Sequence, residues 1–170
     1  MIRPYKPADK EILLKIFNLN IPIFFDKNEI EDFEKYLDQN AQTYLTVEVD
    51  NTIVGGTGYY INEKDASGRI TWIFFDPSYS GKGLGKQSVE HCLKILSKDK
   101  RVEKLIVITS QLTYKFFEKF YFNIHRIEKN YWGGGGGGGG GGGLDLYEME
   151  MSNEEKSAAD NHNSVPLINL

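Results

Sequence analysis

The stretch from Arg69 to Thr109 constrains the fold of this chain more than any other part of it. Arg69 to Phe75 is a dense apolar run, and its composition suits a strand buried on both faces. Asp76-Pro77 stops the run, and Ser80 to Gly83 makes a glycine-rich loop. A helix is predicted from about Leu84 to Lys98, with Val89, Cys92, Leu93 and Leu96 as its inner face. Lys104 to Thr109 follows as a second buried strand. Strand, helix and strand in succession call for a sheet with a helix laid against it.

The remaining patterns fill in around that unit. Met1 to Arg3 suggests a first strand, and Pro7-Ala8-Asp9 opens a helix with Ile12, Leu13, Ile16, Phe17 and Leu19 at helical spacing. A second helix is predicted over about Asn28 to Gln39, with Ile30, Phe33, Tyr36 and Leu37 on one face. Thr43 to Val49 and Ile53 to Ile61 read as a hairpin turned at Asp50-Asn51. Gly55-Gly56 within the return strand marks a bulge or a close backbone approach. Asn62 to Gly68 is a polar loop. Tyr114 to Tyr121 reads as a short aromatic helix, Phe122 to Lys129 as a strand, and Leu144 to Met151 as a last strand. The expectation is an α/β (α+β) single domain with one mixed sheet.

Composition enters where it limits function. Eleven of the 18 glycines form one run, Gly133 to Gly143, and the rest of the 170 residues is ordinary in glycine, so a collagen-like chain is excluded. The run, with the highest backbone entropy to lose, is expected to be a flexible insert in a strand-to-strand connection. The domain is therefore taken as residues 1–151, with 133–143 as an insert and 152–170 as a polar, disordered tail. A net charge of −4 argues against a dedicated nucleic-acid binder. Cys92 is the single cysteine, which excludes a disulfide framework and a Cys-rich metal site, and no metal is expected. No stretch approaches the ~20 apolar residues of a membrane helix, and the N-terminus lacks a secretory pattern, so a cytoplasmic location and no membrane partner are expected.

A strand that ends in a glycine-lysine loop and opens a helix is suited to binding an anion. Helix-start N–H groups point outward, the dipole favours negative charge, and Lys82 and Lys86 add to it. Two phosphate motifs fail on spacing. Gln87 follows Gly85-Lys86 where a nucleotide P-loop needs Ser or Thr, and Gly81-x-Gly83-x-Gly85 is one residue short of the dinucleotide fingerprint. A plain structural turn remains the simplest alternative for the glycines taken alone.

In context, Ser80-Gly81-Lys82-Gly83-Leu84-Gly85 resembles motif A of the GNAT superfamily of N-acetyltransferases, Gln/Arg-x-x-Gly-x-Gly/Ala, with Ser80 replacing the usual Gln or Arg. Ile2 to Asp9 looks like the family's first strand and entry to helix one. Thr109-Ser110 followed by Tyr114-Lys115-Phe116-Phe117-Glu118-Lys119-Phe120-Tyr121-Phe122 is similar to its motif B. The likeness covers Met1 to Met151, apart from the glycine run.

The resemblance implies a twisted, mostly antiparallel mixed sheet of six or seven strands flanked by about four helices, with two parallel central strands splayed apart. It also implies acetyl-CoA as co-substrate and a primary amine as acceptor, which attacks the thioester directly in a ternary complex, on a protein that is a monomer or homodimer. The pyrophosphate would lie on Gly81, Lys82, Gly83, Leu84, Gly85 and Lys86. The pantetheine arm would pair with the backbone of Ile73, Phe74 and Phe75, where Phe75 is the backbone contact for the thioester oxygen. Ser110 and Phe117 would be further cofactor contacts.

The proton-transfer groups depart from the family's pattern. Asp76 is the nearest carboxylate that could act as base, with a turn role as its alternative. Phe117 stands where the family usually has the Tyr that protonates the CoA sulfur, which leaves Tyr121 or Tyr114 as the candidate acid. Tyr121 also replaces the glycine that ends the family's motif B helix, so this helix is expected to end differently, using Asn123. Both departures admit an alternative function, a catalytically weak CoA-binding or regulatory module. The acceptor wall would draw on the aromatic set Phe24, Phe25, Tyr59, Tyr60, Tyr131 and Trp132, with Asp26, Glu29, Glu31 and Asp32 available to a cationic amine.

Overall fold

The computed structural model describes residues 1–132 and 143–155; the glycine run up to residue 142 and the tail from residue 156 lie outside them. In chain order the elements are β1 (Ile2–Pro4), α1 (Lys10–Leu19), α2 (Glu29–Gln39), β2 (Tyr44–Val49), β3 (Thr52–Asn62), β4 (Ser67–Phe75), α3 (Leu84–Leu96), β5 (Lys104–Thr109), α4 (Tyr114–Glu118), β6 (Asn123–Trp132) and β7 (Leu144–Ser152), with 3₁₀ turns at Pro7–Asp9, Ala41–Thr43 and Pro77–Tyr79. The strands form a mixed sheet in the order β1-β2-β3-β4-β5-β7-β6. The expected fold class is the observed one. Residues 153–155, where the tail was expected to have begun, are helical.

The chain divides into two compact units, which over the described residues are 1–60 with 70–94, and 61–69 with 95–132 and 143–155. In the first unit β1 pairs antiparallel with β2, and β2 with β3, with a register shift at Val47/Glu48. The stripe on α1 is narrower than its spacing suggested. Leu13, Ile16 and Phe17 are buried, whereas Ile12 and Leu19 are exposed. They pack with Phe33 and Leu37 of α2, Tyr44 of β2 and Phe74 of β4 into one aromatic-rich core, in which the Phe17 and Phe33 rings stack at 5.2 Å. Burying each such ring stabilises the fold by roughly 1.5–3 kcal/mol.

β4 departs from the expectation that it is buried on both faces. Only Ile70 and Phe74 of the apolar run are buried, and Trp72, Ile73 and Phe75 are partly covered. Trp72 and Phe75 carry large rings that are covered only in part, and composition alone does not separate such partial cover from full burial.

In the second unit β7 pairs antiparallel with both β5 and β6. Leu96, Val102 and Leu105 close over Gly68, each 3.1–3.2 Å from where a Cβ would sit. β6 is exposed along nearly its whole length and is held to β7 by the backbone ladder, with Arg126 2.9 Å from Glu128 on the same strand and 3.2 Å from Glu148 on β7.

Candidate functional site

The turn from β4 into α3 is built by Asp76. Its Oδ1 accepts hydrogen bonds from the Ser78 N–H (2.9 Å) and the Ser78 hydroxyl (2.8 Å), capping the 3₁₀ turn at Pro77–Tyr79. The carboxylate considered as a base is thus engaged in shaping the loop.

Beyond this turn, Gly81 and Gly83 both lie in the left-handed region, at φ 77° and 74°. A side chain there is strained by roughly 1–2 kcal/mol per residue, so the glycines are needed for backbone shape. A Cβ at either position would meet nothing within 4 Å. The backbone is therefore open to close approach from outside. The first helical bond of α3 runs from Gln87 N–H to Gly83 O at 3.0 Å, which places the amides of Leu84, Gly85 and Lys86 in the unpaired first turn. These N–H groups, the helix dipole and the two lysines are groups that could hold an anion, as a cradle at the start of α3.

Lys82 Nζ sits 4.5 Å from the centre of the Tyr79 ring, and Lys86 Nζ lies 3.9 Å from Glu90 across an exposed helix turn. Lys82, Leu84, Gln87 and His91 also line a recess of about 640 Å³, shared with Met1, Glu48 and Asp50. The recess carries both signs of charge, so the open face of the glycine loop is the better anion site.

On β4, Phe74 faces the aromatic core, while Ile73 and Phe75 are partly exposed. Two side chains that sequence reasoning missed reach this strand. Asn20 at the end of α1 donates its amide to Phe75 O at 2.9 Å, and Tyr44 donates its hydroxyl to Trp72 O at 3.0 Å. An Asn closing a helix and a Tyr in a strand are ordinary residues, and their spacing gives no sign of a contact 55 or 28 positions away.

In the second unit, Ser110 is buried and its hydroxyl accepts from the Leu112 N–H at 3.2 Å, shaping the approach to α4. Phe117 is 3% exposed and meets Phe122 edge to face at 6.1 Å. The helix does not end through Asn123. Tyr121 itself takes the left-handed position at φ 70°; its N–H donates to Glu118 O at 3.0 Å, and Phe122 N–H reaches Phe117 O at 3.4 Å. These two bonds and the Phe117–Phe122 contact make a Schellman cap with Tyr in the glycine position. The Tyr121 side chain is 58% exposed. Tyr114 instead stacks on Tyr147 at 4.8 Å.

Other carboxylates are engaged in local structure. Glu63 pairs with Arg101 at 2.7 Å. Asp65 bonds Ser67 and Arg69, which brings its carboxyl down to about 2. Asp26 and Glu29 bond each other's backbone at the start of α2, where burial raises the Glu29 pKa, helped by Asp26 and Asp32. Of the aromatic set, Phe25 packs on Phe17 at 4.5 Å, and Phe24 and Tyr60 are exposed in the first unit; Tyr131 and Trp132 meet at 5.3 Å in the second. His91 and His125 are exposed, and His162 lies outside the described residues. Cys92 is buried against Thr57, and burial pushes its thiol up to about 11, so it is a packing residue. Among the described residues no group of His, Cys, Asp and Glu could hold a metal, and no helix is long and apolar enough to cross a membrane.

Solved structures share this fold. The ribosomal-protein-S18-alanine N-acetyltransferase of Escherichia coli superposes with a TM-score of 0.70 at 18% identity, covering 100% of this chain and 97% of its own. A mutant spermidine/spermine N-acetyltransferase, SpeG of Vibrio cholerae, gives 0.70 at 16%, covering 94% and 97%. YncA of Salmonella typhimurium, solved with its cofactor acetyl-CoA, gives 0.65 at 14%, covering 90% and 93%. A search of curated proteins matched none. The family described as Acetyltransferase (GNAT) matches residues 13–122, a span that contains the glycine loop and α4, and the chain belongs to this family of acetyl-CoA-dependent N-acetyltransferases.

Proposed function

We propose that the chain transfers acetyl from acetyl-CoA to a primary amine, on a small molecule or a peptide, by direct attack of the amine on the bound thioester. The observation that carries this reading is the loop at Gly81 and Gly83, left-handed and open where side chains would otherwise stand, at the start of α3. The pyrophosphate suits the amides from Gly81 to Lys86, with Lys82 and Lys86 supplying charge. The backbone of Ile73, Phe74 and Phe75 suits an extended arm, and a backbone N–H at Phe75 suits the thioester oxygen, where a fixed donor stabilises developing negative charge. Ser110 and Phe117 are assigned as cofactor contacts on the resemblance of motif B. When bound, the cofactor supplies an activated acetyl group and a thiol leaving group. The protein's share is orientation, which in the best cases lowers the barrier by roughly 7–11 kcal/mol.

Phe117 favours a second reading, because a phenyl ring has no proton for the departing sulfur. In that reading the chain binds acetyl-CoA and turns over weakly or not at all. Calorimetric titration with acetyl-CoA tests the shared premise. Micromolar binding is expected in the wild type, and none in Gly83→Glu, which sets a carboxylate on the anion cradle. An amine screen read by release of free thiol then separates the two. Turnover establishes the transferase, and tight binding without thiol release on any amine supports the binding module.

The pH profile reports the acceptor class. An amine attacks only when neutral, so kcat/KM for a peptide α-amine should level off near pH 8, its ordinary pKa. For an aliphatic amine resembling lysine it should still rise beyond pH 9.

A further inference from the structure

The last residues of β4 are held by side chains from outside the strand. Asn20 is 5% exposed and caps α1. Its amide nitrogen donates to Ile16 O within the helix and to Phe75 O on β4, both at 2.9 Å. The next peptide N–H, that of Asp76, donates to Val54 O on β3 at 2.8 Å. Both polar groups of the peptide joining Phe75 to Asp76 are therefore occupied, and its plane is fixed. β3 comes close at the same point, since a Cβ on Gly55 would lie 2.2 Å from Phe74 O and 2.8 Å from Phe75 Cα, so that only glycine lets the two backbones approach this near.

Three residues earlier the strand is irregular. Trp72 has φ 48°, an unfavourable conformation for a bulky aromatic residue, which persists only where surroundings hold it. The Tyr44 hydroxyl donates to the carbonyl of this residue at 3.0 Å. Tyr44 is fully buried, and burial raises its pKa well above the usual tyrosine value, so the hydroxyl keeps its proton and remains a donor.

Two buried donors thus grip the carbonyls at each end of the segment running from Trp72 to Phe75. The backbone between them, Ile73 to Phe75, is the part assigned above to the extended arm and thioester of acetyl-CoA. We propose that Asn20 and Tyr44 are positioning residues that hold this backbone in register for the thioester arm, an inference resting on the cofactor reading of β4 given above. Neither acts on the reaction directly. Their role is to remove the freedom of a strand end whose N–H must point at one oxygen, and a small misplacement of such a donor is expensive in rate and affinity.

The test separates the arm from the pyrophosphate. Acetyl-CoA is compared with 3′-phosphoadenosine 5′-diphosphate, which keeps the pyrophosphate and lacks the arm, by calorimetry on the full chain. Tyr44→Phe removes one oxygen and leaves the ring in the core; Asn20→Leu removes the amide at similar volume. Each variant is expected to weaken acetyl-CoA by about three- to tenfold, the equivalent of one net hydrogen bond, and to leave the fragment's affinity unchanged. Equal weakening of both ligands would mean a general structural role and overturn the proposal, as would no change in either. Should Asn20→Leu fail to fold by circular dichroism, Tyr44→Phe decides alone. Failure of the wild type to bind either ligand would remove the cofactor reading and this inference with it. Normal wild-type binding with unaltered variants would remove only the positioning role.

Discussion

Tyr121 shows how a single residue can keep a shape it does not favour. The cap that ends α4 needs a left-handed residue, and the hydrogen bonds to Glu118 and Phe117 together with the Phe117–Phe122 contact hold Tyr121 there at φ 70°. The phenol ring is largely exposed and has little packing to lose. Tyr121→Gly is therefore expected to stabilise the protein by about 1 kcal/mol, read from urea unfolding midpoints. A neutral or destabilising result would mean that the ring makes a contact outweighing the strain. Sequence identified Tyr121 as anomalous, but the way the helix ends depends on which carbonyls the next two N–H groups find, and no side-chain pattern encodes that choice.

At the scale of elements, the junction of β1, the first 3₁₀ turn and β2 is tied by one buried carboxylate. Asp9 accepts from Arg3 at 2.8 and 2.9 Å, from the Lys6 N–H at 2.9 Å and from Thr46 at 3.0 Å, and Arg3 also bonds Glu48 at 2.6 Å. Burial pushes the Asp9 pKa up, but the hydrogen bonds from Arg3, Lys6 and Thr46 outweigh it and the net shift is downward. A carboxylate whose folded pKa is depressed stabilises the fold above its unfolded value, about 3.9, and that contribution is lost as pH falls through the lower folded value. Asp9→Asn should cost about 1–3 kcal/mol at pH 7, because it takes one of the two carboxylates from Arg3 in a partly buried site and leaves Glu48 as the other. The gap between wild type and variant should narrow once the pH drops below about 4, measured by urea unfolding at pH 7 and pH 3. A constant gap would show that the charge on Asp9 is not the source of the effect. The elements themselves were well marked in the sequence. Periodicity and turn residues delimited α2, the hairpin, β5 and β7 to within a residue or two, since patterns of period two and 3.6 are local. The partners of Asp9 and Asn20 were not marked, since those contacts form only once distant segments meet.

For the molecule as a whole, the anion cradle was the most legible part of the site, because a glycine loop opening a helix is written in consecutive residues. The proton path was the least legible, and Phe117 is where it can be probed. A thiolate is a fair leaving group, a thiol being far more acidic than an alcohol, so CoA can depart without help. Transferases that do have a positioned acid gain roughly 10²–10⁴-fold from it. Phe117 is buried among Phe116 and Phe122, and a hydroxyl added there must find a partner or cost about 1–3 kcal/mol. If position 117 faces the sulfur as the family resemblance implies, that partner is the bound cofactor. Phe117→Tyr, combined with Tyr121→Gly to relieve the cap, is then expected to raise kcat at least tenfold. The same variant should gain stability on saturation with CoA beyond the gain of the wild type, by thermal unfolding with and without ligand. A double variant that is destabilised in both states and no faster would show that the hydroxyl is enclosed in protein. Phe117 would then be a core residue, and the enzyme would release its thiolate unaided.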